Sequence, residues 1–400
     1  MKHYFLLIFL SIFIITSCSD DDDKAGDMSV VTVEEVVANY ADIVLANYQD
    51  ALTTAEALKQ KINAFVADPT DNNLTEAKNA WLAARNPYGE SEAYRFYGGP
   101  IDDGDGPEGQ LNAWPLDESY IDNVTGNVNG SDPNVGINII NSPGDFPTID
   151  KVLIASLNED GGETNVSSGY HAIEFLLWGQ DVSSGPGGGE RPVSDFIVTG
   201  DETTPEFRRG AYLNAAIDLI LDDLQGLIDE WDANGSYRTF FTSSAEVNNS
   251  LERILTGIGK LSKGELAGER MFIALDEKSK EDEHSCFSDN THNDIIRNAM
   301  GIQNVYLGKY TRVDGSVIDG AGIDDLVKQQ NEDLNNNLVS TLSSSITLAN
   351  AIQAPFDQEI LDDNGGRTRV SDTITSLRNQ GDLIAQVSAL FGFTLDPSDI

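Results

Sequence analysis

The chain has 400 residues, with 25 Lys and Arg against 66 Asp and Glu, for a formal net charge of −41. That balance repels phosphate backbones and no basic run offsets it, so nucleic acid is excluded as a partner. Two cysteines exclude a fold stapled by disulfides, and 40 % apolar residues suffice for packed cores of about two domains.

Lys2 precedes an almost unbroken apolar run from Tyr4 to Ile15. Such a run rises only about 18 Å as a helix, short of the roughly 30 Å of a bilayer, so residues 1–17 read as an export segment removed in processing. The quartet Ile15-Thr16-Ser17-Cys18 resembles the end of a bacterial lipoprotein signal, in which Cys18 becomes the lipidated first residue; plain secretion is the alternative. Ser19 is followed by Asp20-Asp21-Asp22-Asp23, whose carboxylates repel one another, so residues 18–28 are expected to form a solvated tether. The acidic run also resembles the tag that sends some lipoproteins to the outer cell surface. The expected location is therefore the cell envelope, as an outer-membrane lipoprotein facing outward, with the periplasmic face as the alternative. With Cys18 acylated, Cys286 has no partner for a disulfide.

Beyond the tether, apolar residues recur in threes and fours. Val33, Val37, Tyr40 and Val44, then Ala51, Ala55, Leu58, Ile62 and Phe65, predict one long helix. Leu213, Ile217, Ile220, Leu224, Leu227 and Trp231 predict a second, opened by Thr203-Thr204-Pro205-Glu206 with capping-box spacing and a Pro suited to a first turn. Further helices are expected at about 74–97, 169–180, 246–281, 290–308, 323–353 and 369–391, and no run of alternating residues predicts a strand. The chain therefore reads as all-α.

Two long stretches interrupt the helices, 98–147 rich in Gly, Asn, Asp and Pro, and 181–204 with Gly185-Pro186-Gly187-Gly188-Gly189. Loops of this length are usually functional or mobile. The glycine run is no phosphate loop, having no strand before it and no Lys-Ser/Thr after it. Asp102 to Glu108 lacks the spacing of a calcium loop. A boundary at Ala233-Asn234-Gly235-Ser236 would divide the chain into tandem helical bundles of about four long helices each, packed side by side, at 29–235 and 236–400.

Once His3 leaves with the signal, three histidines remain, His171, His284 and His292, in two polar and aromatic segments. On a helix His171 and Glu174 share a face, so both side chains can reach one metal ion. The plainer alternative is a part-buried His bonded to its own helix with Glu174 solvated. Gly169 removes a side chain where another group approaches. The zinc-protease pattern His-Glu-x-x-His is absent, and its inverted form fails at Phe175.

Gly169-x-His171-x-x-Glu174, followed by Phe-Leu-Leu-Trp-Gly-Gln-Asp, resembles the signature of the imelysin family. Glu283-His284-Ser285-Cys286-Phe287-Ser288-Asp289-Asn290-Thr291-His292 resembles that family's other hallmark. Trp81-x-x-x-Arg85 with Ser91-Glu92-Ala93, Trp114-Pro115-Leu116-Asp117, Gly264 to Met271, and Pro355-Phe356-Asp357-Gln358 support the likeness, which spans about 81–358. The resemblance implies paired helical bundles, a functional cleft where they meet, and a cell-envelope role in iron acquisition. Family members are also classed as metallopeptidases.

The expected site is a metal centre in that cleft. Imidazole and carboxylate donors suit Fe, Mn, Zn or Cu without separating them; the resemblance implies a divalent or trivalent ion, iron first and zinc second. His171 and Glu174 supply two ligands; the third comes from another helix, Glu92 first and Asp117 second. Arg85, two turns before Glu92, neutralises or orients a carboxylate, or makes an ordinary surface pair. Three readings of the second segment stay open: Ser288-Asp289-Asn290 caps a helix; Glu281, Asp282, Glu283, His284, Asp289 and His292 complete a metal site or, with Ser288, a polar network in the cleft; or Cys286 or Ser285 is a nucleophile with His284. The expected partner is a metal ion or an iron-bearing ligand, with the membrane held through Cys18. The rival functions are a metallopeptidase with Glu174 or Glu92 as base, and a surface binding module that needs no metal.

Overall fold

The first long helix begins where the chain supplies a reciprocal cap. The Thr32 hydroxyl accepts from Glu35 N at 3.3 Å and Thr32 N donates to Glu35 Oε2 at 2.9 Å, satisfying two of the four orphan donors of a helix start. The computed structural model describes residues 30–125, 137–183 and 185–395. The export segment, Cys18 and the acidic tether lie outside the described residues.

In chain order the elements are α1 (Val33–Ala67), α2 (Asp71–Ser91), α3 (Glu108–Asn112), α4 (Glu118–Ile121), α5 (Lys151–Leu157), α6 (Gly169–Trp178), α7 (Pro205–Trp231) and α8 (Ser236–Phe241). There follow α9 (Val247–Lys260), a π-helical stretch (Leu261–Phe272), α10 (Ile273–Glu277), α11 (Thr291–Tyr306), β1 (Lys309–Thr311) and β2 (Val317–Asp319). The chain ends with α12 (Ile323–Gln330), α13 (Glu332–Ala349), α14 (Phe356–Leu361) and α15 (Gly366–Leu390). The protein is all-α apart from the antiparallel β1–β2 hairpin, in which Tyr310 pairs with Ile318. Three-residue strands are too short to show an alternating pattern, which is why the sequence concealed them.

The periodic residues face inward as expected: Val37 through Phe65 of α1 and Leu213 through Trp231 of α7 are buried. α1, α2, α6 and α7 pack on one another; α9 with its π continuation, α11, α13 and α15 form a second group. Contacts of α2 with α11 and of α1 with α9 join them. Trp81 of α2 anchors α6 by donating from Nε1 to the Tyr170 carbonyl at 2.9 Å, with its ring 5.3 Å from Trp178.

Two local expectations need correction. Thr203-x-x-Glu206 forms no capping box. Thr204 is the N-cap without a side-chain bond to the helix, and the Thr203 hydroxyl donates instead to Asp201 Oδ1 at 2.6 Å. The stretch 323–353 breaks at Asn331, whose N–H closes α12 onto Val327 O at 2.7 Å while its side chain accepts from Leu334 N at 3.1 Å and opens α13. One short polar side chain offers the backbone an alternative to continuing the helix.

Candidate functional site

The short helix α6 begins with Gly169 at φ +83°, a conformation that side chains rarely adopt, and a Cβ there would lie 2.5 Å from the Leu111 carbonyl. The missing side chain lets the start of α6 press against the end of α3. All ten residues of α6 are buried, so His171 and Glu174 are at the centre of the protein, at 1 % and 0 % exposure. His171 Nδ1 lies 2.8 Å from Glu174 Oε2. The other oxygen, Glu174 Oε1, accepts from Ser288 N at 2.9 Å and Ser288 Oγ at 2.7 Å.

The second polar segment brings His284 alongside, its ring centroid 4.7 Å from that of His171 in an edge-on arrangement. His284 repeats the construction: its Nδ1 lies 2.8 Å from Asp294 Oδ2, which also accepts from the Ser285 hydroxyl. Arg85 reaches Asp294 Oδ1 at 3.4 Å and donates to Asn112 Oδ1 at 2.6 Å. Its guanidinium lies 5.4–5.6 Å from the ring centroids of Trp81, Tyr88 and Tyr170, so the buried cation is held by aromatic faces as well as by charge. The Asn112 amide lies 3.5 Å from His284 Nε2 and 3.4 Å from Glu92 Oε1. Glu92 itself is clasped by Arg270 at 2.6 Å and Arg95 at 2.7 Å.

Charge states follow from these partners. Burial pushes Glu92 up, but Arg95 and Arg270 outweigh it and hold the carboxyl down at about 2. Burial likewise works against Asp294, and Arg85 and His284 overcome it, keeping the group ionised well below the usual carboxylate range. Glu174 has no guanidinium of its own; burial raises it to about 8, with the Ser288 bonds opposing. Burial, then the nearby guanidiniums, lowers His171 and His284 to about 3, so both imidazoles are neutral. The tautomers then differ. Ionised Asp294 accepts a hydrogen bond from His284 Nδ1, leaving Nε2 with its lone pair. Protonated Glu174 donates to His171 Nδ1, so His171 Nε2 carries the hydrogen, and that buried atom has no hydrogen-bond partner.

A metal ion held by protein side chains alone does not fit this arrangement. Among the described residues no group of three or more His, Cys, Asp or Glu is disposed to hold one. Glu92 is committed to two arginines. Asp117 lies outside the network, capping α4 by accepting from Ser119 N at 2.9 Å and Ser119 Oγ at 2.7 Å. What the network does offer is a pair of imidazoles, each oriented through Nδ1 by a carboxyl group, as metal-facing histidines commonly are.

The structure brings together His171, Glu174, His284, Ser288, Arg85 and Glu92. Arg85 binds Asp294 and Asn112 rather than a metal-bound acid. Asp289, at φ +58°, accepts from Gly187 N at 3.0 Å, and His292 Nδ1 lies 3.1 Å from the Asp289 carbonyl; neither touches the imidazole pair. Thr291 starts α11 as expected, but Asn290 makes no side-chain cap. The glycine run has a structural use: Gly189 N donates to Phe287 O at 2.8 Å, and a Cβ on Gly188 would lie 2.2 Å from that same oxygen. Only a chain without side chains can lie this close to the second segment. Asn112, Arg270 and Asp294 join the site unforeseen: Arg270 lies within Gly264–Met271 and Asp294 two residues beyond the second hallmark, whereas nothing in the sequence marks Asn112. Arg270 projects from the π-helical stretch, a distortion found disproportionately at functional sites.

Residues 44–384 match the imelysin family, peptidase family M75. The chain belongs to the imelysin family. Iron-regulated protein A of Synechococcus elongatus is 21 % identical over 353 residues, 85 % of this chain and 82 % of that one. The crystal structure of a protein from Parabacteroides distasonis, assigned as an iron-regulated protein A precursor, superposes with a TM-score of 0.69 at 22 % identity, covering 91 % of this chain and 97 % of the other. An imelysin-like protein from Psychrobacter arcticum does so at 0.60 and 13 %, covering 92 % and 98 %. At these identities the solved structures establish the imelysin fold for this chain.

Proposed function

We propose that this imelysin is a lipid-anchored envelope protein of iron acquisition, and that its imidazole pair receives an iron-bearing ligand rather than a bare ion. The observation that carries the reading is the pairing of His171 and His284, both fixed through Nδ1, with His171 Nε2 unpartnered and His284 Nε2 facing only the Asn112 amide at 3.5 Å. A chelate brings its own oxygen ligands and needs only one or two nitrogens from the protein. The Nε2 of His171 becomes a donor atom when Glu174 ionises and pulls the ring hydrogen round to Nδ1. Cavities of about 320 Å³ and 420 Å³ have Trp114, which touches His284, and Ser288, which touches Glu174, among their linings, so each comes within one side chain of the buried pair. The name iron-regulated protein A, borne by a relative that covers most of this chain, supports the iron-bearing cargo.

Peptidase chemistry asks for a free carboxylate base, and the two nominees are engaged: Glu174 by Ser288 and His171, Glu92 by Arg95 and Arg270. Ferric citrate offered to the purified protein tests the reading. Iron is expected to stay with the wild type through gel filtration and to be lost from H171A and H284A. Equal iron in all three would overturn it. For the anchor, Cys18→Ser is expected to move the protein from the membrane to the soluble fraction of expressing cells; unchanged membrane association would refute lipidation at Cys18.

A further inference from the structure

Asn112, the last residue of α3 and 3 % exposed, has its side-chain amide fixed from one end. Arg85 Nη1 donates to Oδ1 at 2.6 Å, and a guanidinium can only donate. The reverse orientation of the amide would set two donors face to face, so its NH2 end points toward Glu92 and His284. There it lies 3.4 Å from Glu92 Oε1 and 3.5 Å from His284 Nε2, both at the outer limit of a hydrogen bond. Glu92 uses its other oxygen to accept from Arg95 at 2.7 Å and Arg270 at 2.6 Å. The amide hydrogens are therefore held in place by the far end of the side chain, yet only loosely engaged.

This placement restricts what His284 can take. Asp294 accepts the Nδ1 hydrogen at 2.8 Å, so the ring's lone pair lies on Nε2 and faces Asn112. Any atom that takes this lone pair comes between the imidazole and an N–H that cannot turn away. A group with an oxygen acceptor beside that atom receives the amide hydrogen, whereas a group without one leaves a buried donor unpaired. A hydrated metal ion matches poorly for the same reason, because its water ligands point their hydrogens outward, donor against donor.

We propose that Asn112 is a specificity-determining residue of the imidazole pair, favouring a metal that arrives with anionic oxygen ligands over a hydrated ion. The assignment rests on the reading of the pair as an iron site, and it names what that site recognises in its cargo.

Asn112→Asp exchanges the donor for an acceptor of the same size, while one carboxylate oxygen still accepts from Arg85. Asn112→Ala removes the donor and offers no acceptor. Equilibrium dialysis of the purified protein against ferric citrate, and separately against zinc chloride, reads the effect, with H284A as the blank for binding elsewhere. Asn112→Asp is expected to weaken ferric citrate about tenfold or more and to strengthen zinc. Asn112→Ala is expected to weaken ferric citrate several-fold without weakening zinc. A merely structural role would weaken both ligands in both variants. That result, or ferric citrate bound by either variant as tightly as by the wild type, would overturn the role of Asn112 and leave the iron reading standing. A wild type that takes no iron from ferric citrate would overturn both.

Discussion

A buried imidazole nitrogen with no partner costs free energy, on the order of 1–3 kcal/mol, that nothing inside the folded chain recovers. His171 Nε2 is such an atom; Arg85 Nε and the Tyr88 and Tyr170 hydroxyls are likewise unpartnered, while Glu174, Ser288, His284, Asp294, Arg85 and Asn112 are otherwise joined in one network. Asp294 holds most of that network in register, since it faces Arg85, His284 and Ser285 at once. Asp294→Asn leaves the Arg85 charge buried and uncompensated, and is expected to cost about 3–5 kcal/mol at pH 7 by urea unfolding. The pH dependence has a definite sign. A carboxyl whose folded pKa is depressed contributes stability above its ordinary value of 3.8, and loses it as pH falls toward the folded value. The gap between wild type and variant should thus hold from pH 7 to about 4 and narrow only below. A gap that closes already between pH 7 and 5 would show that Asp294 is not the ionised partner of Arg85.

Among the elements, the two polar segments depend on a third that carries no chemistry. The glycine run lies against Phe287 and Asp289, and so sets the position from which Ser288 grips Glu174. Gly188→Ala drives a methyl group into the Phe287 carbonyl, at a cost of about 1–3 kcal/mol. The expected result is a Tm lower by a few degrees together with weaker iron retention. Gly185→Ala, where a Cβ meets open space, should be silent in both measurements. Equal behaviour of the two variants would remove the run from the account. The long helices were legible because burying one face imposes spacings of three and four, as Val37 to Phe65 show. The π-helical stretch at Leu261–Phe272 was not, since its one-residue widening leaves apolar spacing almost unchanged and only Gly264 and Gly268 mark it.

On the scale of the molecule, residues that share a local segment are legible in the sequence and partners brought together by long-range contacts are not. His171 with Glu174, and the fold class, follow from spacing and periodicity. The clasp of Glu92 by Arg270, 178 residues away, and the bridge from Asn112 to Arg85 follow only from how α2, α3 and the π-helical stretch meet. That meeting also decides the central chemistry, because it gives Asp294 and Glu92 their guanidiniums and leaves Glu174 without one. In the proposed function, ligand binding through His171 Nε2 requires Glu174 to lose its proton, so binding is expected to tighten as pH rises toward about 8. The Glu174→Gln substitution copies the protonated acid: its amide accepts from Ser288 and donates to His171 Nδ1, which locks the imidazole in the tautomer that cannot bind. The most direct measurement is proton release on adding ferric citrate in weak buffer near pH 7, corrected for the titration of ferric citrate alone, in wild type and Glu174→Gln. The expected result is close to one proton released per ligand bound by the wild type, with affinity rising about tenfold per pH unit below 8, and no binding by a normally folded Glu174→Gln. Binding without proton release, or a Glu174→Gln variant that binds as the wild type does, would contradict it.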